Sequence, residues 1–71
     1  MNVRRLTAGL TERQIDVLTL IANGATNVEV ADELEISMET VKSHVRHILQ
    51  ALEAKSRAQA VAIAVREGMI E

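Results

Sequence analysis

The 71-residue chain contains no cysteine, no proline and no phenylalanine, tyrosine or tryptophan. Without cysteine it can form neither a disulfide nor a thiol-ligated zinc site, so packing alone must hold the fold. Without aromatic rings it offers no surface on which unpaired bases stack, which argues against most modes of single-stranded RNA or DNA binding. Its three glycines, Gly9, Gly24 and Gly68, are too scattered to form a glycine-rich phosphate loop.

Long hydrophobic runs and targeting signals are also missing. No apolar run approaches the ~20 residues that span a bilayer, and no cleavable leader is visible. The lack of secretory features fits a reducing compartment, so we expect a cytoplasmic protein with no membrane contact. Residues 1–9 lack periodicity and are predicted to form a flexible N-terminal arm or linker remnant, whereas residues 10–71 are predicted to form one domain. Arg4 and Arg5 in the arm are expected to be solvated, with phosphate contact as the alternative.

Groups that support catalysis or metal binding are sparse. His44 and His47 have i, i+3 spacing and could share a metal, but no cysteine and no converging third ligand accompany them. The serines lack a His–carboxylate relay, and consecutive acids such as Asp32 and Glu33 do not face each other on a helix. We therefore predict no enzyme activity, no metal site and no cofactor.

Four helix starts are marked by Ser or Thr N-caps, and connections of about two to five residues separate the helices. Three caps have Gln or Glu three residues later, the capping-box spacing: Thr11 with Gln14, Thr26 with Glu29, and Ser56 with Gln59. Three residues after Ser37 stands Thr40 instead of Gln or Glu, so at this helix we expect the N-cap hydrogen bond without the rest of the capping box. Leu10 and Ile15 have the spacing of a hydrophobic staple. Since no stretch alternates like a strand, the predicted fold is an all-α four-helix bundle.

Apolar spacing predicts which helix faces form the core. The first helix has Ile15, Leu18, Ile21 and Ala22, and Asn23-Gly24 ends it. The fourth helix has Arg57, Ala60, Val61 and Ala64. The third, Met38–Leu52 at 100° per residue, has Val41, Val45, Ile48, Leu49 and Leu52. Its opposite face has Glu39, Ser43, Arg46, His47 and Gln50, with Thr40 and Lys42 at the flanks.

Residues 26–49 have the layout of a central helix-turn-helix. It consists of a short helix over 26–34, a turn at 35–36 and the longer helix over 38–52. Small Ala31 would let the two helices cross closely across so short a connection. Proteins with this layout place the second helix in the major groove of DNA. An exposed helical face is usually only solvated, and this context is what favours DNA contact.

The net charge of −2 is low for a DNA-binding protein, but the charges are unevenly distributed. Residues 27–39 hold five acids and no Lys or Arg. In residues 42–57, Glu53 is the only acid, against four cations: Lys42, Arg46, Lys55 and Arg57. Because phosphates are contacted by one face, the distribution matters more than the sum.

These residues resemble the LuxR/FixJ-type (GerE-like) helix-turn-helix domain, which has no wing. The resemblance covers roughly Leu10 to Arg66. Its landmarks are Leu10-Thr11-Glu12-Arg13-Gln14, Leu20-Ile21-Ala22-Asn23-Gly24, Asn27, Glu29-Val30-Ala31, Leu34, Ile36-Ser37, Thr40-Val41-Lys42-Ser43-His44-Val45, Ile48-Leu49, Leu52, Lys55-Ser56-Arg57 and Ala60-Val61. It implies a bacterial transcription regulator that binds double-stranded DNA in the cytoplasm, associated with the nucleoid when bound. Val28 stands where the family often has lysine, and Glu35 and Glu39 add charge where the family is often neutral.

By this resemblance, Lys42, Ser43 and Arg46 correspond to positions that enter the groove. Arg46 can donate two hydrogen bonds to guanine O6 and N7, and Lys42 can contact guanine or phosphate. The side chain of Ser43 is too short to distinguish bases by much more than how closely they fit against it. The remaining DNA-binding candidates are expected at phosphates, near helix N-termini or through flexible cations: Thr26, Asn27, Thr40, His47, Lys55 and Arg57.

The fourth helix, over 57–66, carries a second apolar stripe. We expect Ala58, Ala62, Val65 and Met69 to form a homodimer interface, because a second apolar face implies a partner. Two-fold pairing would match two DNA half-sites, and the family uses this helix to dimerise. The alternative is a monomer whose alanines are simply helix formers. A sensor or receiver domain could precede the chain in a longer protein.

Two other hypotheses stay open from the sequence. The promoter-reading helix-turn-helix of a sigma factor has similar landmarks, but sigma factors act as single copies, which the apolar fourth helix argues against. A protein-interaction module could keep the fold and bind a partner through its acidic second helix. The acidic pI of about 5.6 is consistent with that alternative.

Overall fold

A computed structural model describes residues 8–71 of the chain, and this range folds into four α-helices without a strand. The helices are α1 (Glu12–Ala22), α2 (Asn27–Leu34), α3 (Met38–Leu52) and α4 (Arg57–Arg66). The all-α prediction is confirmed. Arg4 and Arg5 lie outside the described residues, and the division into an arm and a domain stays a prediction. None of the four helices is long and apolar enough to cross a membrane.

The first two helices begin with the predicted capping boxes. At α1 the Gln14 N–H donates to Thr11 Oγ1 at 3.1 Å, and the Thr11 N–H donates to Gln14 Oε1 at 3.0 Å. At α2 the matching distances between Thr26 and Glu29 are 3.2 and 2.8 Å. These bonds satisfy backbone donors that a helix start would otherwise leave unpaired.

The capping box predicted for α4 is only half correct. The Gln59 N–H donates to Ser56 Oγ at 3.1 Å, as expected. Gln59 Oε1, however, accepts from the Lys55 N–H at 2.6 Å rather than from Ser56. The reason is the backbone: φ is −152° at Ser56, against −74° at the N-cap Thr11. That rotation turns the preceding peptide, so the side chain of Gln59 meets the N–H one residue earlier.

The core is aliphatic and lies between α1 and α3, each of which packs against the three other helices. Its most deeply buried large side chains are Val17, Leu18, Val30, Val41 and Ile48. All five predicted core residues of α3 belong to this cluster or pack against it. The prediction for α1 was wrong at its edge, because Ala22 is exposed and Val17 is fully buried. The buried face is therefore centred on Val17, Leu18 and Ile21.

Two residues of α4 and its tail differ from the predicted stripes. Arg57 is exposed rather than part of the core. It nevertheless lines a small cavity beside Leu18 and Ile48, consistent with an aliphatic stem that covers the core edge. Met69 lies beyond the helix, where the chain turns at Gly68 (φ +76°) and the Met69 N–H donates to the Ala64 carbonyl at 2.8 Å. Met69 is thus partly buried against the core and does not extend the outer stripe.

Two valines on α2 provide a matched test of this core. Val30→Ala removes atoms that are fully buried, whereas Val28→Ala removes atoms that are 56% exposed. We expect Val30→Ala to lower the free energy of unfolding by about 1–3 kcal/mol, and Val28→Ala by less than about 0.5 kcal/mol. Urea denaturation followed by circular dichroism measures both. Equal losses would show that α2 does not dock as described.

Candidate nucleic-acid interface

A three-residue connection joins α2 to α3. Glu35 adopts the left-handed conformation (φ 56°, ψ 47°) and forms the C-cap of α2. The Ile36 N–H then donates to the Ala31 carbonyl at 3.0 Å, which closes the turn. Ala31 is buried in the core, which is consistent with a small residue that lets the two helices cross closely. The turn and the bounds of both helices match the predicted helix-turn-helix.

The start of α3 is capped by a neutral side chain. The Thr40 N–H donates to Ser37 Oγ at 3.0 Å, and the Ser37 hydroxyl donates to Thr40 Oγ1 at 2.9 Å. Only the N-cap half of the motif forms, as predicted. Because no carboxylate caps this helix, its N-terminal dipole is not neutralised by the cap itself.

One face of α3 is buried and the opposite face is open. Val41 is fully buried and Ile48 is 2% exposed. On the opposite face Glu39, Arg46, His47 and Gln50 are exposed, and Ser43 is half-buried. At its flanks Lys42 is exposed and Thr40 is half-buried. The row that was predicted to face DNA is therefore not covered by residues 8–71.

Lys42 has a partner that the sequence interpretation did not include. Its Nζ lies 3.8 Å from Glu39 Oε1, one turn earlier, with side chains 56% and 87% exposed. The signal was present as opposite charges at i, i+3 on one helix. A pair this exposed contributes at most about 1 kcal/mol, so Lys42 can exchange its partner for a phosphate or a base.

The other candidate cations are not engaged within the described range. The only further ion pair among residues 8–71 joins Arg66 to Glu67 at 3.7 Å. Arg46, Lys55 and Arg57 are exposed and have no acidic partner there. In Lys55 the backbone N–H takes part in the cap of α4. The side-chain ammonium group is separate from that bond and is available for a ligand.

The two threonines differ in what they leave for a phosphate. The Thr26 N–H already donates to the Glu29 carboxylate, which also brings a negative charge to the start of α2. Only the hydroxyl proton of Thr26 remains to be donated. Thr40 accepts from Ser37 and likewise keeps its own hydroxyl proton. Both residues can therefore donate one hydrogen bond, but α2 does not offer an open N-terminus to an anion.

Asn27 holds the one buried side-chain polar atom that lacks a hydrogen-bond partner within residues 8–71. That atom is Oδ1, an acceptor, in a half-buried side chain at the first position of α2. Only Nδ2 can donate to a phosphate oxygen, so any such contact has to use that nitrogen.

The surface predicted for dimerisation is partly open. Ala58 and Ala62 are exposed, and Val65 is 50% exposed, among the largest apolar exposures in the described range. Met69 is excluded from this stripe by its position after the turn. The open part of the surface therefore consists of Ala58, Ala62 and Val65.

The histidines do not form part of a larger ligand cluster. His44 is half-buried and His47 is exposed. Within residues 8–71 no three His, Cys, Asp or Glu side chains converge as metal ligands would.

Comparison with known proteins points to one family. The model of the family described as bacterial regulatory proteins, luxR family, matches residues 8–64. The response regulator protein VraR of Staphylococcus aureus is 45% identical over 62 residues, which is 87% of this chain and 30% of that protein. VraR of Staphylococcus saprophyticus and of Staphylococcus epidermidis match equally well. The chain thus spans about 30% of the length of these curated relatives.

Proposed function

Because the chain belongs to the luxR family of bacterial regulatory proteins, we propose that it reads double-stranded DNA by placing α3 in the major groove. The chain is a DNA-binding domain of a transcription regulator, and its family is one of regulators rather than of enzymes. The family match favours this function over the sigma-factor-like alternative. The observation that supports groove insertion best is the division of α3 into a buried face and an open, partly cationic face.

Each side chain of the open face has a chemically defined role in this proposal. Arg46 donates two hydrogen bonds to guanine O6 and N7, the commonest specific contact in major grooves. Lys42 contacts guanine or phosphate, and half-buried Ser43 limits how closely a base approaches. The remaining groups bind phosphate, which positions the domain without specifying sequence: Thr26, Asn27, Thr40, His47, Lys55 and Arg57.

In this proposal Asp32, Glu33 and Glu35 must face away from phosphate, whereas the carboxylate of Glu29 accepts from the Thr26 N–H at the start of α2. Glu29, Asp32, Glu33 and Glu35 are all exposed. An open groove between α1 and α2 is lined by two acids, Asp16 and Glu33, and by Leu20 and Leu34. This acidic groove is the feature that favours the alternative of a protein-interaction module, with a basic partner.

Assembly and context are further parts of the proposal. Since the matched relatives are response regulators three times the length of this region, we propose that a receiver domain controls it in a longer protein. Ala58, Ala62 and Val65 would pair two copies across a two-fold axis, one copy on each half-site. A regulator that binds chromosomal DNA acts in the bacterial cytoplasm, so we propose that location.

Two alanine substitutions separate base reading from phosphate binding. Arg46→Ala should lose about 1–3 kcal/mol of discrimination and relax base preference at one position. Lys55→Ala should weaken binding to all duplexes and lower the magnitude of the salt slope by about one. Selection from a randomised duplex pool identifies the site, and fluorescence anisotropy at several salt concentrations measures both effects.

Arg13→Ala is the control, since Arg13 is an exposed cation on α1 outside the proposed interface. It should leave base preference unchanged and alter the salt slope less than Lys55→Ala. If the wild-type domain is retained neither on heparin nor on random duplex DNA at low salt, the protein-interaction alternative replaces the proposal.

A lysine introduced at Ala62 tests the dimer. Ala62→Lys should reduce cooperative binding to paired half-sites by about tenfold or more, because two cations would meet across the interface. Ala22→Lys adds the same charge at an exposed alanine on α1 and should preserve cooperativity. Band-shift titrations on single and paired half-sites give the ratio, and circular dichroism checks helicity. A ratio that is the same for both variants would favour the monomer.

A further inference from the structure

Glu39 occupies a special position on the open face of α3. It is the second residue of the helix, and its side chain is 87% exposed. At 100° per residue it lies on the same line as Ser43 and Arg46, the line farthest from the buried face. Glu29, at the third position of α2 rather than the second, uses its carboxylate to cap that helix. Glu39 takes no part in a cap, because Ser37 caps α3.

Within the described residues the only polar partner of Glu39 is Lys42. The two groups place a hydrogen-bond acceptor, Glu39 Oε1, beside a donor, Lys42 Nζ, at 3.8 Å. The major-groove edge of a C·G pair has the complementary arrangement. There the N4 amino donor of cytosine lies beside the O6 acceptor of guanine, with the N7 acceptor of guanine next in line.

We propose that the Glu39–Lys42 pair reads one C·G base pair, with Glu39 on cytosine N4 and Lys42 on guanine O6 and N7. This inference rests on the proposed function. Glu39 would then be a specificity-determining residue. Its negative charge, on a surface that approaches phosphate, would be offset by the hydrogen bond to cytosine.

An A·T pair also presents a donor beside an acceptor, but its outer positions are wrong for this pair of side chains. Adenine N7 is an acceptor next to the amino group, so it repels the carboxylate of Glu39. The thymine methyl group lies next to O4, so Lys42 finds one acceptor there and not two. With G·C in the reverse orientation the carboxylate would meet guanine O6. C·G is therefore the pair that both side chains satisfy together.

The position of this base pair relative to the Arg46 contact also follows. Glu39 and Arg46 are seven residues apart, or about 10 Å along the helix axis. Because a recognition helix enters the major groove at an angle, and residues about three apart on it contact successive bases, the cytosine should lie about two base pairs from the guanine that Arg46 contacts.

Glu39→Gln is the decisive variant. It keeps the size of the side chain, and glutamine forms two hydrogen bonds with adenine N6 and N7. Starting from the duplex selected by the wild-type domain, each of the four base pairs is placed at the Glu39 position and binding is measured by anisotropy. We expect the preference to change from C·G to A·T by about tenfold. Lys42→Ala should lose discrimination at this same position and at no other.

Glu12→Gln is the matched control, because it removes one negative charge from an exposed glutamate in the first turn of α1. It should leave all base preferences unchanged. If Glu39→Gln tightens binding to all four duplexes equally, Glu39 only repels phosphate and the inference is overturned. If the wild-type domain binds no duplex at low salt, the proposed function fails first, so the two failures are distinguishable.

Discussion

Burial of one side of α3 determines which of its residues are exposed and available to a ligand. Val41, Val45, Ile48 and Leu52 hold the helix at a single rotation against the other three helices. The opposite row is thereby turned outward, and within residues 8–71 its one ion pair joins Glu39 to Lys42 at the flank. Because the core has no aromatic ring, it depends on many small aliphatic contacts, each buried valine or leucine contributing about 1.5–3 kcal/mol. In a domain this small, the loss of one such contact is a large share of the total stability.

Two kinds of feature were predicted well from the sequence: helix caps, which depend on neighbouring residues, and the faces of a helix whose apolar and polar residues lie on opposite sides. Thr11, Thr26 and Ser37 cap helices because hydroxyl oxygens reach the backbone N–H three residues on. The faces of α3 were predicted because its apolar and polar residues separate cleanly. The faces of α1 and α4 were predicted less well. In α1 polar and apolar residues are less cleanly separated, and α4 is apolar nearly all round, so packing decides which side is inside. Ala22 was misplaced for that reason, whereas Met69 was misplaced because the chain turns after the end of α4.

The candidate interface stays a prediction as a set of DNA-binding residues, and the structure adds how those residues are arranged. That Gln59 bonds the Lys55 backbone depends on one dihedral angle at Ser56, which composition does not encode. The buried, unpartnered Oδ1 of Asn27 follows from packing around α2. The contact between Glu39 and Lys42 was signalled by opposite charges at i, i+3 spacing, but only the structure shows that the two side chains approach to 3.8 Å. A net charge of −2 also limits long-range attraction to phosphate, so binding has to rely on the local group of exposed cations.

Both residues that follow the helices of the central motif are glutamates in the left-handed conformation, Glu35 after α2 and Glu53 after α3. This conformation costs a residue with a side chain about 1 kcal/mol or more, and glycine would avoid that cost. The two turns are therefore maintained by the docking of helices on the common core rather than by local preference. The helix-turn-helix motif therefore depends on the rest of the domain. A peptide of residues 26–53 would lose the contacts with α1 and α4, and these contacts hold its two helices in their relative orientation.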